Sequence, residues 1–254
     1  MAQDLNNISQ MRAITISREY GSGGGEVAQR LAKRLQWQLV DHEIVVRVAQ
    51  ELGVSVEEAE ERDEYAEGVA SRILSSLQAI QPTIFAVAPL PVMVNAPNYQ
   101  EALKRVVEGS IASEHVVIVG RGSQVLLGQH RDVLHVRIVA PLEQRIAYVM
   151  RRENINRDDA RTRIQIKDQD RMRYLQTAYH QNSEDAVLYD ITVNTAVLSL
   201  NQIVDLIALV LQEKATRLSL PTEELGPGAG LERYPSRPGD FRPPANLNDA
   251  AHNS

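Results

Sequence analysis

At 254 residues and 43% hydrophobic composition, the chain is long enough to bury one substantial core with tails attached. It has no cysteine, which excludes disulfides, thiolate metal sites and cysteine nucleophiles and fits a reducing cytoplasm. A formal charge of −6 argues against broad electrostatic binding to nucleic acid or anionic lipid. No apolar run approaches the ~20 residues that span a bilayer, and nothing near the start has the layout of a signal peptide, so a protein with no membrane partner is expected.

Residues 1–11 are polar and aperiodic and predict a loose leader. A strand is expected over Arg12–Ile16, followed by the turn Gly21–Gly25. Glu26–Gln36 reads as a helix, because Val27, Ala28, Leu31, Ala32 and Leu35 recur at helical spacing. Gln38–Val40 predicts a second strand ending at Asp41, and Ile44–Leu52 a helix stopped by Gly53. Ser55–Glu58 has the shape of a capping box. Pro82–Pro97 carries four prolines among apolar residues and predicts a loop.

Tyr99–Ile111 returns to helical periodicity, and His115–Val119 is an apolar run of the kind found in buried parallel strands. Leu134–Val139 is another. Leu142–Arg152 predicts a helix running into an arginine-rich stretch, Asp190–Val193 a last strand and Ser199–Lys214 a last helix. This alternation implies an α/β fold with a mainly parallel sheet and helices on both faces. From about residue 219 to 254, Pro and Gly dominate without periodicity and predict a disordered tail.

The glycine turn lies between a first strand and a first helix. Its main-chain N–H groups can converge there, and the helix start adds partial positive charge, so phosphate is the expected guest. Ile14-Thr15-Ile16-Ser17-Arg18-Glu19-Tyr20-Gly21-Ser22-Gly23-Gly24-Gly25-Glu26, continued by Leu35-Gln36-Trp37-Gln38-Leu39-Val40-Asp41, resembles the opening of the cytidylate kinase-like family. Val117-Ile118-Val119-Gly120-Arg121-Gly122, Asp168-x-x-Arg171 and Tyr189-Asp190-x-x-x-Asn194-Thr195 follow in the same order.

The resemblance implies a three-layer fold of the P-loop NTPase kind over residues 12–218, with an acceptor-side insertion at about 55–112 and a helical lid at about 151–175. It implies ATP and Mg2+ as cofactors, nucleotides as substrates and transfer of the γ-phosphoryl group to CMP, dCMP or a related small acceptor. Against the true cytidylate kinases, the first glycine of Gly-x-x-x-x-Gly-Lys-Gly-Thr falls on Arg18, the lysine on Gly24 and the magnesium-holding threonine on Glu26. In the kinase Asp-Gly-Arg strand end the aspartate falls on Val119, while Gly120 and Arg121 match. Relatives in the cytidylate kinase-like family read Ser-Arg-Glu-x-Gly-Ser-Gly-Gly, so the exchange is a family trait, and Arg18 is the candidate for the missing charge.

By the same match Gly21, Ser22, Gly23, Gly24, Gly25 and Glu26 are expected to cradle phosphate, with Arg47, spaced from Asp41 as in the kinases, and Arg121 on the acceptor phosphate. Lid residue Arg171 is expected near the transferring phosphate, and Asp170 and Arg173 near the acceptor. Arg163 is a further lid candidate for phosphate. Asp41, Glu43 and Glu26 are candidate carboxylates for magnesium through water. A rival expectation is a nucleotide sensor or scaffold that keeps the cradle and has lost transfer chemistry; a third is a kinase for another small substrate. The sequence leaves the oligomeric state open, a homodimer included.

Overall fold

The computed structural model describes residues 8–41, 48, 51, 53, 96–113 and 115–226. The sheet consists of β1 (Ala13–Arg18), β2 (Gln38–Val40), β3 (Val116–Val119), β4 (Val133–Val139) and β5 (Ile191–Asn194), in the order β2-β3-β1-β4-β5. Every pairing is parallel. The helices are α1 (Gly24–Leu35), α2 (Ala96–Ser113), α3 (Ser123–Leu126), α4 (Leu142–Glu153), α5 (Arg157–Tyr179) and α6 (Leu200–Thr216).

Parallel strands joined by helices bury both faces, which is why β3 reads Val-Val-Ile-Val without polar interruption. Val117 and Val119 pack into the layer that holds Val27 and Leu31 of α1 and Ile203 and Ile207 of α6. Val116 and Ile118 face the other layer, with Leu103 and Val107 of α2. A smaller cluster joins Ile146 and Val149 of α4 to Ala160 and Ile164 of α5, with Tyr20 packed against it. Sequence and structure thus agree on a five-stranded parallel α/β sheet between two helical layers.

Several boundaries differ from the sequence reading. β1 extends to Arg18, and α1 starts at Gly24 instead of Glu26, because left-handed Gly23 (φ 80) turns the chain into the helix two residues early. The expected leader is not loose at its inner end. Ile8 and Met11 are buried in the core, and the Met11 N–H donates to the Ile8 carbonyl. Pro97 sits at the second position of α2, where a missing N–H costs nothing. Residues 82–95, with most of the expected helix over 44–52, lie outside the described residues.

Most of the stretch expected to form a lid is one 23-residue helix, α5, separated from α4 by a left-handed Asn154 and capped by the Asn156 side chain, which accepts from the Asp159 N–H. α6 opens with a capping box between Ser199 and Gln202. The chain divides into two units, Met1–Leu218 and Ser219–Ser254. The described part of the second, residues 219–226, contains a short 3-10 turn at Thr222–Glu224. Among the described residues no helix is long and apolar enough to cross a membrane.

One polar pair lies within the core. Thr15 Oγ1 and His135 Nδ1 are 2.8 Å apart across β1 and β4. Burial pushes the His135 imidazole down to about 4, opposed in part by Asp190 and aided by Lys214 and His130. A folded-state value below the unfolded one near 6.5 means the stabilisation is complete above that pH and is lost as pH falls toward 4. At pH 5 the loss from this group amounts to about 2 kcal/mol. Denaturant titrations at pH 7.5 and pH 5 should therefore show His135→Gln losing about 2 kcal/mol less than the wild type over that interval. Equal losses would contradict a neutral buried imidazole.

Candidate functional site

Two clefts open at the C-terminal edge of the sheet, where strand order reverses around β1 and ligands gather in such folds. The first, about 200 Å³, is lined by Arg18, Arg121, Arg137, Arg145 and Arg171, with Glu19, Asp168 and Glu184. The second, about 170 Å³, lies along the glycine turn and α1, and is bounded by Tyr148 and Arg152 of α4. Arg18, Glu19 and Arg171 line both.

In the glycine turn, Ser22 is committed to structure. Its N–H and hydroxyl both go to the Glu19 carbonyl, at 3.3 and 2.9 Å, and its carbonyl accepts from Thr195 Oγ1 at 2.9 Å. Ser22 is buried and lines neither cleft, so its expected phosphate contact is replaced by a bracing role. Thr195, one half of the Asn-Thr pair at the end of β5, is what holds the turn. Among the described residues the N–H groups of Gly21, Gly23, Gly24, Gly25 and Glu26 have no protein acceptor. Three of these are the orphan donors that any helix start presents, here aimed at an open cleft.

The Glu26 carboxylate accepts from the Tyr148 hydroxyl and from Arg152. Burial and Glu26 raise the pKa of Tyr148, keeping its proton in that bond. Tyr20 forms a parallel chain: its hydroxyl donates to Glu153 at 2.5 Å, and Glu153 also takes Arg163. Burial first and Glu153 second push Tyr20 up to about 12. Glu153 is held below the ordinary carboxylate range by Tyr20 and Arg163, against the opposing effect of burial.

Arg18 explains the departure of the glycine turn from the lysine-bearing pattern. A side chain's first carbon at position 24 would fall 2.6 Å from Arg18 Cβ and 3.1 Å from Arg18 Cγ. The stem of Arg18 occupies the place that a residue-24 side chain would take. Its guanidinium ends against Gly120, where a Cβ would collide with Nη1. Next to it Arg121 adopts φ 60, a left-handed conformation that costs a non-glycine residue roughly 1 kcal/mol or more.

Asp168 ties α5 to the turn. It accepts the Tyr20 N–H at 2.7 Å and pairs with Arg145, which also donates to the Tyr20 carbonyl at 3.2 Å. Arg145 is only 8% exposed, and its Nε, 3.6 Å from Glu19, makes no hydrogen bond. Arg171 donates to the Arg18 carbonyl at 3.2 Å and lies 5.5 Å from the Tyr20 ring centroid.

Of the residues expected at the site, Arg18, Gly21, Gly23, Gly24, Gly25, Glu26, Arg121 and Arg171 are gathered at the clefts. Arg163 is tied to Glu153, Arg173 lies on the exposed face of α5 and Asp170 is buried; none of the three lines a cleft. Helical periodicity turns positions 170 and 173 away while bringing 168 and 171 inward. Asp41 follows β2 and lines neither cleft, and Arg47 and Glu43 lie outside the described residues.

Sequence reasoning passed over Arg145, Arg137 and Tyr148, and took Arg152 only as the start of the arginine-rich stretch. Arg145 had a signal: it shares the apolar stripe Leu142, Ile146, Val149 of α4, a place where a charge is costly unless paired. The open amides, the close glycines and the paired cations fit a chain of phosphates. Of the acids at the clefts, Glu26 is taken by Tyr148 and Arg152 and Asp168 by Arg145 and the Tyr20 N–H, and no group of three acids or histidines suited to a metal occurs among the described residues.

The model of the cytidylate kinase-like family matches residues 13–197, the span that carries both clefts. The chain belongs to the cytidylate kinase-like family. An uncharacterized protein from Eubacterium ventriosum superposes with a TM-score of 0.56 at 19% identity, over 78% of this chain and 97% of that one, a likeness of fold alone. A shikimate kinase from Acinetobacter baumannii, solved with shikimate, gives a TM-score of 0.46 at 13% identity over 83% and 98%, too slight a likeness to carry function. A uronate isomerase from Corynebacterium glutamicum is 30% identical over 95 residues, which is 37% of this chain and 18% of that protein.

Because Asp168 is the counter-charge of a nearly buried guanidinium, Asp168→Ala should destabilise the protein by about 3 kcal/mol in a urea titration. Adding Arg145→Met should restore much of that loss, since the apolar replacement leaves no stranded charge. A double variant less stable than the single one would contradict the pairing.

Proposed function

We propose that this protein is a nucleotide kinase-like phosphotransferase that moves the γ-phosphoryl group of ATP to a small acceptor, with CMP and dCMP the first candidates. The observation that carries the reading is the sharing of Arg18, Glu19 and Arg171 by the two clefts. The donor's phosphates lie on the open amides of Gly21 and Gly23–Glu26, and the acceptor lies in the first cleft. The transferring group then passes between two fixed guanidinium groups. An unprotonated oxygen of the acceptor's phosphate bonds to the γ-phosphorus while the bond to the bridging oxygen breaks, and ADP leaves with that electron pair.

Arg18 supplies from strand β1 the positive charge that a lysine at position 24 would supply from the helix start. The collision between the two positions makes them exclusive. Arg121, held in its left-handed conformation, faces the acceptor phosphate, while Arg171 spreads charge on the phosphoryl group in transit. The helix α5 excludes water once the nucleotides are bound. Arg47 remains a proposed acceptor ligand, and Mg2+ a proposed companion of the nucleotide phosphates.

A second reading has its own observation. Val119, at the kinase aspartate position, is fully buried and apolar, and Glu26 puts a carboxylate at the donor cleft. Both favour a nucleotide sensor that binds without transfer. A coupled ADP-release assay over the nucleoside monophosphates with Mg2+, beside calorimetric titration of ATP, separates the two: turnover supports the kinase, binding without turnover the sensor.

In the kinase case Arg18→Ala and Arg171→Ala should each lower kcat by about a hundredfold or more. Gly24→Lys alone should abolish activity, and the double change Arg18→Gly with Gly24→Lys should recover part of it. A double variant no better than Gly24→Lys would refute the exchange of positions.

A further inference from the structure

On the sheet face that looks toward α2, polarity rises along the strands in the direction of the first cleft. Ala13 and Val133 are register partners and fully buried. Thr15 and His135 come next on that face, joined by their 2.8 Å contact. Ser17 and Arg137 follow, again register partners, and both line the cleft. The period-2 alternation of β4, with apolar Leu134, Val136 and Ile138 on the opposite face, is what delivers Arg137 there.

The Arg137 guanidinium carbon lies 5.6 Å from the centroid of the Tyr189 ring. That ring is itself fixed, because its hydroxyl donates to the Ser183 carbonyl at 2.9 Å and lies 3.2 Å from Ser17 Oγ. Arg145 and Arg171, on the same cleft, are engaged with Asp168 and main-chain carbonyls. Arg137 differs from them: among the described residues its only interaction is the Tyr189 ring. A guanidinium seated over an aromatic ring, with its N–H fork uncommitted, can present two parallel donors to a planar or tetrahedral oxyanion.

We infer that Arg137 is a specificity-determining residue of the acceptor cleft, holding an oxyanion that the acceptor carries in addition to the oxygen that attacks. The acceptor is therefore itself an anion, carrying a phosphate group or a free carboxylate, and an uncharged alcohol is a poor substrate. This rests on the phosphotransferase reading and narrows it. Tyr189 is the positioning residue, placing the guanidinium over its ring, which its own two hydroxyl contacts hold.

The test is calorimetric titration of the full chain with CMP, cytidine, D-glycerate and ATP, for wild type, Arg137→Met, Arg137→Lys and Tyr189→Leu. CMP carries a phosphate, D-glycerate a carboxylate and cytidine neither. The wild type should bind CMP or D-glycerate, whichever oxyanion it takes, at least about tenfold more tightly than cytidine. Arg137→Met should lose about tenfold or more in that binding while its ATP affinity changes less than twofold. Arg137→Lys should recover part of the loss, and Tyr189→Leu should weaken the oxyanion and spare ATP. Unchanged CMP and D-glycerate binding in Arg137→Met, or a wild type that binds neither, overturns the inference. A wild type that binds these anions through Arg137 but not ATP overturns the phosphotransferase reading and leaves the anion site standing.

Discussion

The side chain of Arg18 runs from the C-terminal end of the central strand past Gly24 to Gly120, and the arrangement of the candidate site follows from that path. Its stem fills the space beside the start of α1, so that position carries glycine and the helix begins with bare amides. Its guanidinium lies beside the end of β3 at Gly120, where the backbone itself, at φ 76, calls for glycine. The stem of that side chain accounts for the glycine at position 24, and its guanidinium puts a charge at the border of both clefts. A lysine at the helix start would do similar electrostatic work from a flexible stem; an arginine wedged between two backbones has less freedom to lose.

Around that axis the charges are arranged in closed sets. Glu26 holds Tyr148 and Arg152, Glu153 holds Tyr20 and Arg163, and Asp168 holds Arg145 and the turn. Each carboxylate fixes a donor from another element, so the helices α4 and α5 are registered against the glycine turn by polar contacts as well as by the Ile146–Ile164 cluster. The partly exposed pairs contribute little stability by themselves. Their effect is geometric, because they determine which guanidinium groups remain for a ligand.

The sheet and its helices were readable from the sequence because burial on both faces leaves an unmistakable apolar run, as in β3, and an amphipathic stripe, as in α1. The boundaries were less so. A run of three glycines carries no local preference between turn and helix, so the start of α1 was decided by the left-handed Gly23 and not by composition. The site was half legible: motif order brought out Arg18, the turn, Arg121 and Arg171. It also pointed to Asp170 and Arg173, which line neither cleft, and to Arg163, which is engaged with Glu153.

The sequence by itself determined the order of strands and helices, the phosphate-shaped turn and membership of a kinase-like family, because these are written in local periodicity and in contiguous motifs. Only the tertiary structure decided that Arg18 excludes a side chain at position 24, that Asp168 neutralises Arg145, and that Arg137 meets Tyr189 at the cleft. Those facts join residues far apart in the chain. They depend on which side chains occupy the same few cubic ångströms once β1, β3, β4 and α5 are brought together, a quantity that no single segment encodes.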